Sequence, residues 1–313
     1  IYVYICMMVP VGVFTQQLES TMAVQNIRLK IKLHMVNVTL RMLASIFMYI
    51  TLPSSLLFPV LLTVGVNIIT IIVYVYYSKV VPKPLNNDRL FVKKVLVFGW
   101  LPMLTALLIT FNYSIDIIFL KSLASPYELG IYATAVGLIN YFWLVPDAFK
   151  EVLVSRVARS NSIKPIILSI KASLFSTIII IIAFYVLGST AIKLMYGEQF
   201  SEAYDITLIL SYGAISMIFY KMIGTVFLAE GRRWFYFLTL FLSVVINVIA
   251  NMFAIPKYGM YGAAVSTVIS YSICGLTFLI YFMKVKKLSI WETTIISYTE
   301  IQQFKSLIKG EKK

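Results

Sequence analysis

Apolar segments long enough to cross a lipid bilayer recur along almost the whole of this 313-residue chain, and nothing else in it restricts the fold so strongly. A helix needs about 20 residues to cross a hydrocarbon core of roughly 30 Å. In lipid, every backbone N–H and C=O must be satisfied within the structure, which leaves helices or closed barrels. Barrel strands alternate apolar and polar residues over about ten positions, whereas Ile166 to Leu187 is apolar on every face. Helix is therefore the assignment throughout. The composition agrees: with 60% hydrophobic and 13% charged residues, no soluble domain remains to be found.

Polar breaks between the apolar runs predict about nine membrane-spanning helices, near 1–19, 35–52, 55–77, 94–118, 129–149, 166–188, 204–227, 234–255 and 258–283. The chain has 27 Lys and Arg and a formal net charge of +14. Such an excess is also a footprint of nucleic-acid binding, but here its distribution follows membrane topology. Arg28, Lys30 and Lys32, the group from Lys79 to Lys94, the group from Lys150 to Lys171, Arg232 and Arg233, and every basic residue from Lys284 onward fall on one side of the predicted helices. The other side holds only Lys121, Lys193 and Lys257, while Arg41 and Lys221 lie inside helices. The positive-inside bias then places the C-terminus in the cytoplasm and makes nucleic acid a poor partner.

Cys6 and Cys274 both lie in apolar segments, and His34 is the only histidine. No disulfide framework, metal centre or cofactor is expected from so few ligands. Ile1 opens directly inside an apolar run with no basic n-region or cleavage site, which argues against a signal peptide and predicts a start further upstream.

A stretch at 80–92, carrying Pro82, Pro84 and Asn86-Asn87, reads as a cytoplasmic linker between three helices (1–79) and six (93–285), with a cytoplasmic basic tail at 286–313. Tyr212 to Lys284 holds a helix ending in Glu230-Gly231-Arg232-Arg233, then two helices joined at Pro256-Lys257-Tyr258-Gly259. Residues 1–79 follow the same plan, with a polar stretch through Arg28 and two helices joined at Leu52-Pro53-Ser54. If the halves match, the first lacks its opening three helices, and the intact protein has about twelve in two bundles.

Residues as well as pattern point to a family. The run Pro256-Lys257-Tyr258-Gly259-Met260-Tyr261-Gly262-Ala263-Ala264, followed by Ser270-Tyr271, resembles the late-helix signature of polysaccharide and O-antigen flippases of the multidrug/oligosaccharidyl-lipid/polysaccharide exporter superfamily. Phe98-Gly99-Trp100-Leu101-Pro102 leading to Asp116, Leu129-Gly130-Ile131-Tyr132 with Pro146, and Tyr196-Gly197-Glu198-Gln199-Phe200 agree in order and spacing. The resemblance covers residues 90–285 and, more loosely, 1–79. It implies an all-α, V-shaped pair of six-helix bundles in the bacterial cytoplasmic membrane, alternating between inward-open and outward-open states. The implied substrate is an undecaprenyl-diphosphate-linked oligosaccharide, moved outward for O-antigen, capsule or exopolysaccharide assembly. Membrane lipids, a polysaccharide polymerase and glycosyltransferases are the implied partners.

An ionisable side chain at mid-membrane is costly, so it faces a partner or a wet cavity. Arg41 and Lys221, one in each bundle, are expected to line a central cavity and attract the diphosphate or acidic sugars. The alternative is that they snorkel to the cytoplasmic interface or pair with a carboxylate in the bundle. Asp116 follows Asn112 by one helical turn, with Tyr113 adjacent. That cluster is expected either to bind a coupling proton or sodium ion or to form a structural hydrogen-bond network. Asn140, Asn247 and Asn251 read as interhelical glue, and Gly262, Ser266 and Ser270 as a small-residue packing ridge.

A multidrug or cation exporter of the same architecture is the alternative function, for which a more acidic cavity is expected. A membrane-embedded envelope-polysaccharide enzyme is a third reading. It needs positioned acid–base groups or a metal-binding motif together with a sizeable loop, and the sequence supplies neither.

Overall fold

The computed structural model describes residues 11–19, 22, 27–51, 57–78, 89–157 and 163–295, and among these every regular element is helical. In order they are α1 (11–19), α2 (Ile27–Thr51), α3 (Leu57–Ser78), α4 (Arg89–Leu123), α5 (Pro126–Phe142), α6 (Leu144–Val157), α7 (Lys164–Tyr196), a 3-10 turn (Glu198–Phe200), α8 (Ala203–Ala229), α9 (Arg233–Lys286) and α10 (Ile290–Thr294). The chain divides into two compact units, Ile1–Arg89 and Leu90–Lys313. Because α4 begins at Arg89, the helix takes in the last residues assigned to the linker; residues 79–88 lie outside the described residues.

In the first unit α2 and α3 pair, with the Asn37 amide donating to the Thr70 hydroxyl and that hydroxyl donating to the Val66 carbonyl at 2.7 Å. Tyr74 packs on Leu18 and Met22, with Leu29 and Leu33 against the same cluster, and its hydroxyl donates to Glu19 at 3.4 Å. The helix expected to start near 35 therefore starts at Ile27. Leu29 and Leu33, four residues apart, form a half-buried stripe against that cluster while Lys30 and Lys32 lie on the other faces. A search for uniformly apolar runs does not see such an amphipathic turn.

The second unit is built around α8, whose apolar side chains are buried on nearly all sides. Gly213, Gly224 and Gly275 permit its close contacts. A Cβ on Gly275 would overlap the Ser216 carbonyl of α8, and one on Gly213 would sit 3.1 Å from the Val268 backbone. The span expected at 129–149 is two helices, α5 and α6, meeting at Trp143 with a bend of 45°. Pro146 explains the break, since it has no N–H to offer the Phe142 carbonyl. The next amide is satisfied, Asp147 donating to the Trp143 carbonyl at 2.8 Å.

α9 is a hairpin, not a single rod. Its only non-helical residue is Gly259 (φ 54°, ψ −132°), a backbone conformation essentially confined to glycine. Across the fold the Ser243 and Ser270 hydroxyls lie 2.8 Å apart, Phe235 stacks on Tyr281 at 4.0 Å, and Glu230 bridges Arg232 and Lys286. The two ends of the hairpin therefore lie together. At its turn, Glu128 closes a capping box with Ser125 at the start of α5 and also accepts the Met260 N–H at 3.3 Å. Tyr127 donates to the Gln199 carbonyl at 3.3 Å, bringing the α7–α8 connection to the same end.

By length and composition α4, α7, α8 and α9 are long and apolar enough to cross a membrane, and the bent α5–α6 pair meets the same criterion only when its two helices are taken together. In the first unit the described residues contain the shorter apolar helix Val64–Tyr77. The tail expected to begin at 286 opens with α10, capped by its own Ser289–Glu292 box and docked on α7 with Thr293 buried. The Ser289 N–H and hydroxyl hold the Glu292 carboxyl below the usual carboxylate range. Residues 296–313 of that tail lie outside the described residues.

Candidate functional site

Polar residues converge where α4, α5 and the two arms of α9 meet. Asp116 of α4 is almost wholly buried. Its Oδ2 accepts hydrogen bonds from the Tyr132 hydroxyl of α5 and, at 3.1 Å, from the Thr267 hydroxyl of α9. Its Oδ1 accepts the N–H of Ile117 at 3.1 Å. One turn earlier, Asn112 Oδ1 accepts from the Ser243 and Ser270 hydroxyls, each at 3.2 Å, while its Nδ2 has no partner among the described residues. Asp116 and Asn112 thus share one buried junction, as their spacing predicted. Tyr132 stood in the family-like run Leu129 to Tyr132, and Ser270 in the small-residue ridge, but neither pattern marks them as partners of α4.

Asn247 and Asn251 follow Ser243 at spacing four on the first arm of α9 and are fully buried. Their hydrogen bond runs along the arm, from the Asn251 amide to Asn247 Oδ1 at 2.6 Å, and Asn247 Nδ2 and Asn251 Oδ1 have no partner among the described residues. They bond to each other within one helix, where glue between helices was expected. The packing role of Gly262 is visible: a Cβ there would overlap the Ala254 carbonyl.

A cavity of about 210 Å³ opens beside Asp116, lined also by Thr267, Asn140, Tyr113, Trp143 and Tyr271. The three aromatic rings pack together at 5.4–6.0 Å. The Lys221 ammonium lies 4.6 Å from the Trp143 ring centre and pairs with Asp147 at 2.8 and 2.9 Å. Lys221 is 9% exposed and Asp147 48%, so a buried cation reaches a half-exposed carboxylate. Lys221 therefore meets the carboxylate partner anticipated as the alternative to a free cationic wall. Arg41 lies on α2, and its side chain is outside the described residues. Among the described residues, no group of three or more His, Cys, Asp or Glu is placed to hold a metal ion.

No family model matches the chain. A curated relative, the capsular polysaccharide biosynthesis protein CapF of Staphylococcus aureus, is 21% identical over 211 residues, 64% of this chain and 52% of the relative. The uncharacterized membrane protein MJ1068 of Methanocaldococcus jannaschii is 24% identical over 241 residues, 71% of this chain and 46% of the relative. The chain thus spans about half the length of the curated relatives it matches. Among solved structures, lipid II flippase MurJ in an inward closed conformation superposes with a TM-score of 0.64 at 16% identity, covering 85% of this chain and 58% of that one. The fold is MurJ-like. CapF and the MurJ fold together support the resemblance to polysaccharide and lipid-linked flippases.

Proposed function

We propose that this chain is part of a multi-pass transporter that flips an undecaprenyl-diphosphate-linked oligosaccharide across the bacterial cytoplasmic membrane by alternating access. The observation that carries the reading is the fold shared with a lipid flippase over 85% of the chain. It is joined by a relative named for capsular polysaccharide biosynthesis. Counting each arm of α9 as a pass, together with α4, the bent α5–α6 pair, α7 and α8, gives the second bundle its six spans. Three more before residue 80 make the proposed nine. The proposed orientation has Arg233 and the C-terminus in the cytoplasm.

Within this reading, the Asp116 junction is the coupling site. A buried carboxylate flanked by two hydroxyls and a small cavity suits a proton or a sodium ion, whose ligands are hard oxygens. Arg41 and Lys221 are the proposed partners of the diphosphate, with substrate phosphate displacing Asp147 from Lys221. A cation or drug exporter is favoured less, because the cavity contains one carboxylate that already accepts two hydroxyl hydrogen bonds.

The test reconstitutes the protein in proteoliposomes with an undecaprenyl-diphosphate oligosaccharide and follows access of the sugar to an impermeant glycosidase. Protein-dependent, ion-gradient-dependent exposure is expected, reduced at least tenfold by Asp116→Asn. Exposure no faster than in protein-free vesicles refutes the transport reading, and full ion dependence in Asp116→Asn refutes the coupling site alone. Unchanged export by Arg41→Ala and Lys221→Ala at normal protein levels removes the cationic pair.

A further inference from the structure

The second unit carries a recess unrelated to the Asp116 junction. Two adjoining cavities, of about 490 and 390 Å³, share Phe98, Leu101 and Arg233 as lining residues and run between α4 and the turn from α8 into α9. Each volume falls within the roughly 300–1,000 Å³ usual for ligand sites. Along α4 the walls are apolar, with Phe98, Leu101, Pro102 and Ala106 extending the groove in the direction of the helix axis. At its mouth stands Arg233, whose guanidinium lies 5.6 Å from the Phe98 ring centre. Its neighbour Arg232 is neutralised by Glu230, whereas Arg233 has no carboxylate partner among the described residues. Trp100 and Trp234 meet edge to face at 5.7 Å beside it, and an indole pair with an arginine is the composition found at the headgroup level of a bilayer.

We propose that this groove binds one anionic glycerophospholipid, with the phosphate on Arg233 and an acyl chain lying along Phe98, Leu101 and Ala106. The charge selects the occupant. A zwitterionic lipid fills the same apolar walls but adds no net attraction at the mouth, while an interfacial cation favours an anionic lipid by about 1 kcal/mol, roughly fivefold. The site stands on α4, α8 and α9 alone and is independent of what the protein transports.

The test exposes the purified protein to equimolar phosphatidylglycerol and phosphatidylcholine with identical acyl chains and counts retained lipid by native mass spectrometry. Wild type is expected to keep phosphatidylglycerol about fivefold over phosphatidylcholine. Arg233→Gln should abolish that preference, Arg233→Lys should keep most of it, and Ala106→Trp should lower retention of both lipids by filling the groove. Equal retention of the two lipids by wild type overturns the proposal without any variant. So does a preference that survives Arg233→Gln, or displacement of phosphatidylglycerol by equimolar undecaprenyl diphosphate, which would assign the groove to the substrate.

Discussion

Lys221 and Asp147 are 74 residues apart in the chain, and their pairing shows what a sequence does and does not disclose about single residues. Both stood out because ionisable groups are rare in such apolar surroundings. That Lys221 needed a partner or a wet cavity followed from the cost of a charge in lipid. Which carboxylate it meets depends on the bend at Trp143, which turns the first residues of α6 toward α8. The pair is also lopsided: removing Asp147 strands a buried ammonium over an indole, whereas removing Lys221 leaves a carboxylate already half in contact with its surroundings. Asp147→Asn should therefore destabilise the protein by about 1–3 kcal/mol, and Lys221→Met by less than about 1 kcal/mol. Melting temperatures of the two variants in detergent test this ordering, and the reverse order would mean that Lys221 is not held chiefly by Asp147. Asp116 and Asn112 were legible together because a helix puts positions four apart on one face. Tyr132, Ser243, Thr267 and Ser270 were not, since no local pattern records which distant hydroxyl faces a given turn.

Among the elements, the positions and helical nature of the apolar segments were readable, and their bends and ends less so. Pro146 and Gly259 were both visible, yet one marks a bend of 45° within a span and the other reverses the chain. The difference lies in backbone chemistry: proline removes one hydrogen bond and leaves the helix direction partly intact, whereas glycine permits a φ of 54° that ends it. The close packing of α8 on the returning arm of α9 rests on glycines in the same way. Gly275 presses its backbone against the Ser216 carbonyl, where even a methyl group overlaps. Gly275→Ala should thus force the two helices apart and cost about 1–3 kcal/mol, as overpacking does. Gly99→Ala, inside α4 where a Cβ meets nothing within 4 Å, is the control and should leave the melting temperature unchanged or slightly raised. Equal melting of the two variants would show that the α8–α9 contact is looser than described.

For the second unit, the contacts among the described residues gather the connections into two groups, one of which holds the three connections poor in lysine and arginine. Glu230, Arg232 and Lys286 hold the open ends of the α9 hairpin together, and α10 docks on α7. At the other end, Glu128 reaches Met260 and Tyr127 reaches Gln199, which gathers the connections near Lys121, Lys193 and Lys257. Those three connections are the ones poor in positive charge. α7, with 33 residues, is about 50 Å long at 1.5 Å per residue and joins the two groups with length to spare. If a bilayer surrounds this unit, the energetic asymmetry that keeps cationic loops on the cytoplasmic side fixes which group faces inward. Reporter fusions should then fluoresce as a cytoplasmic green fluorescent protein after Arg159 and after Lys313, and should be active as an exported alkaline phosphatase after Lys193. Cytoplasmic signal at both Arg159 and Lys193 would mean that α7 does not cross. With an uncrossed α7 the second unit cannot hold its proposed six spans, and the proposed transport reading falls with it.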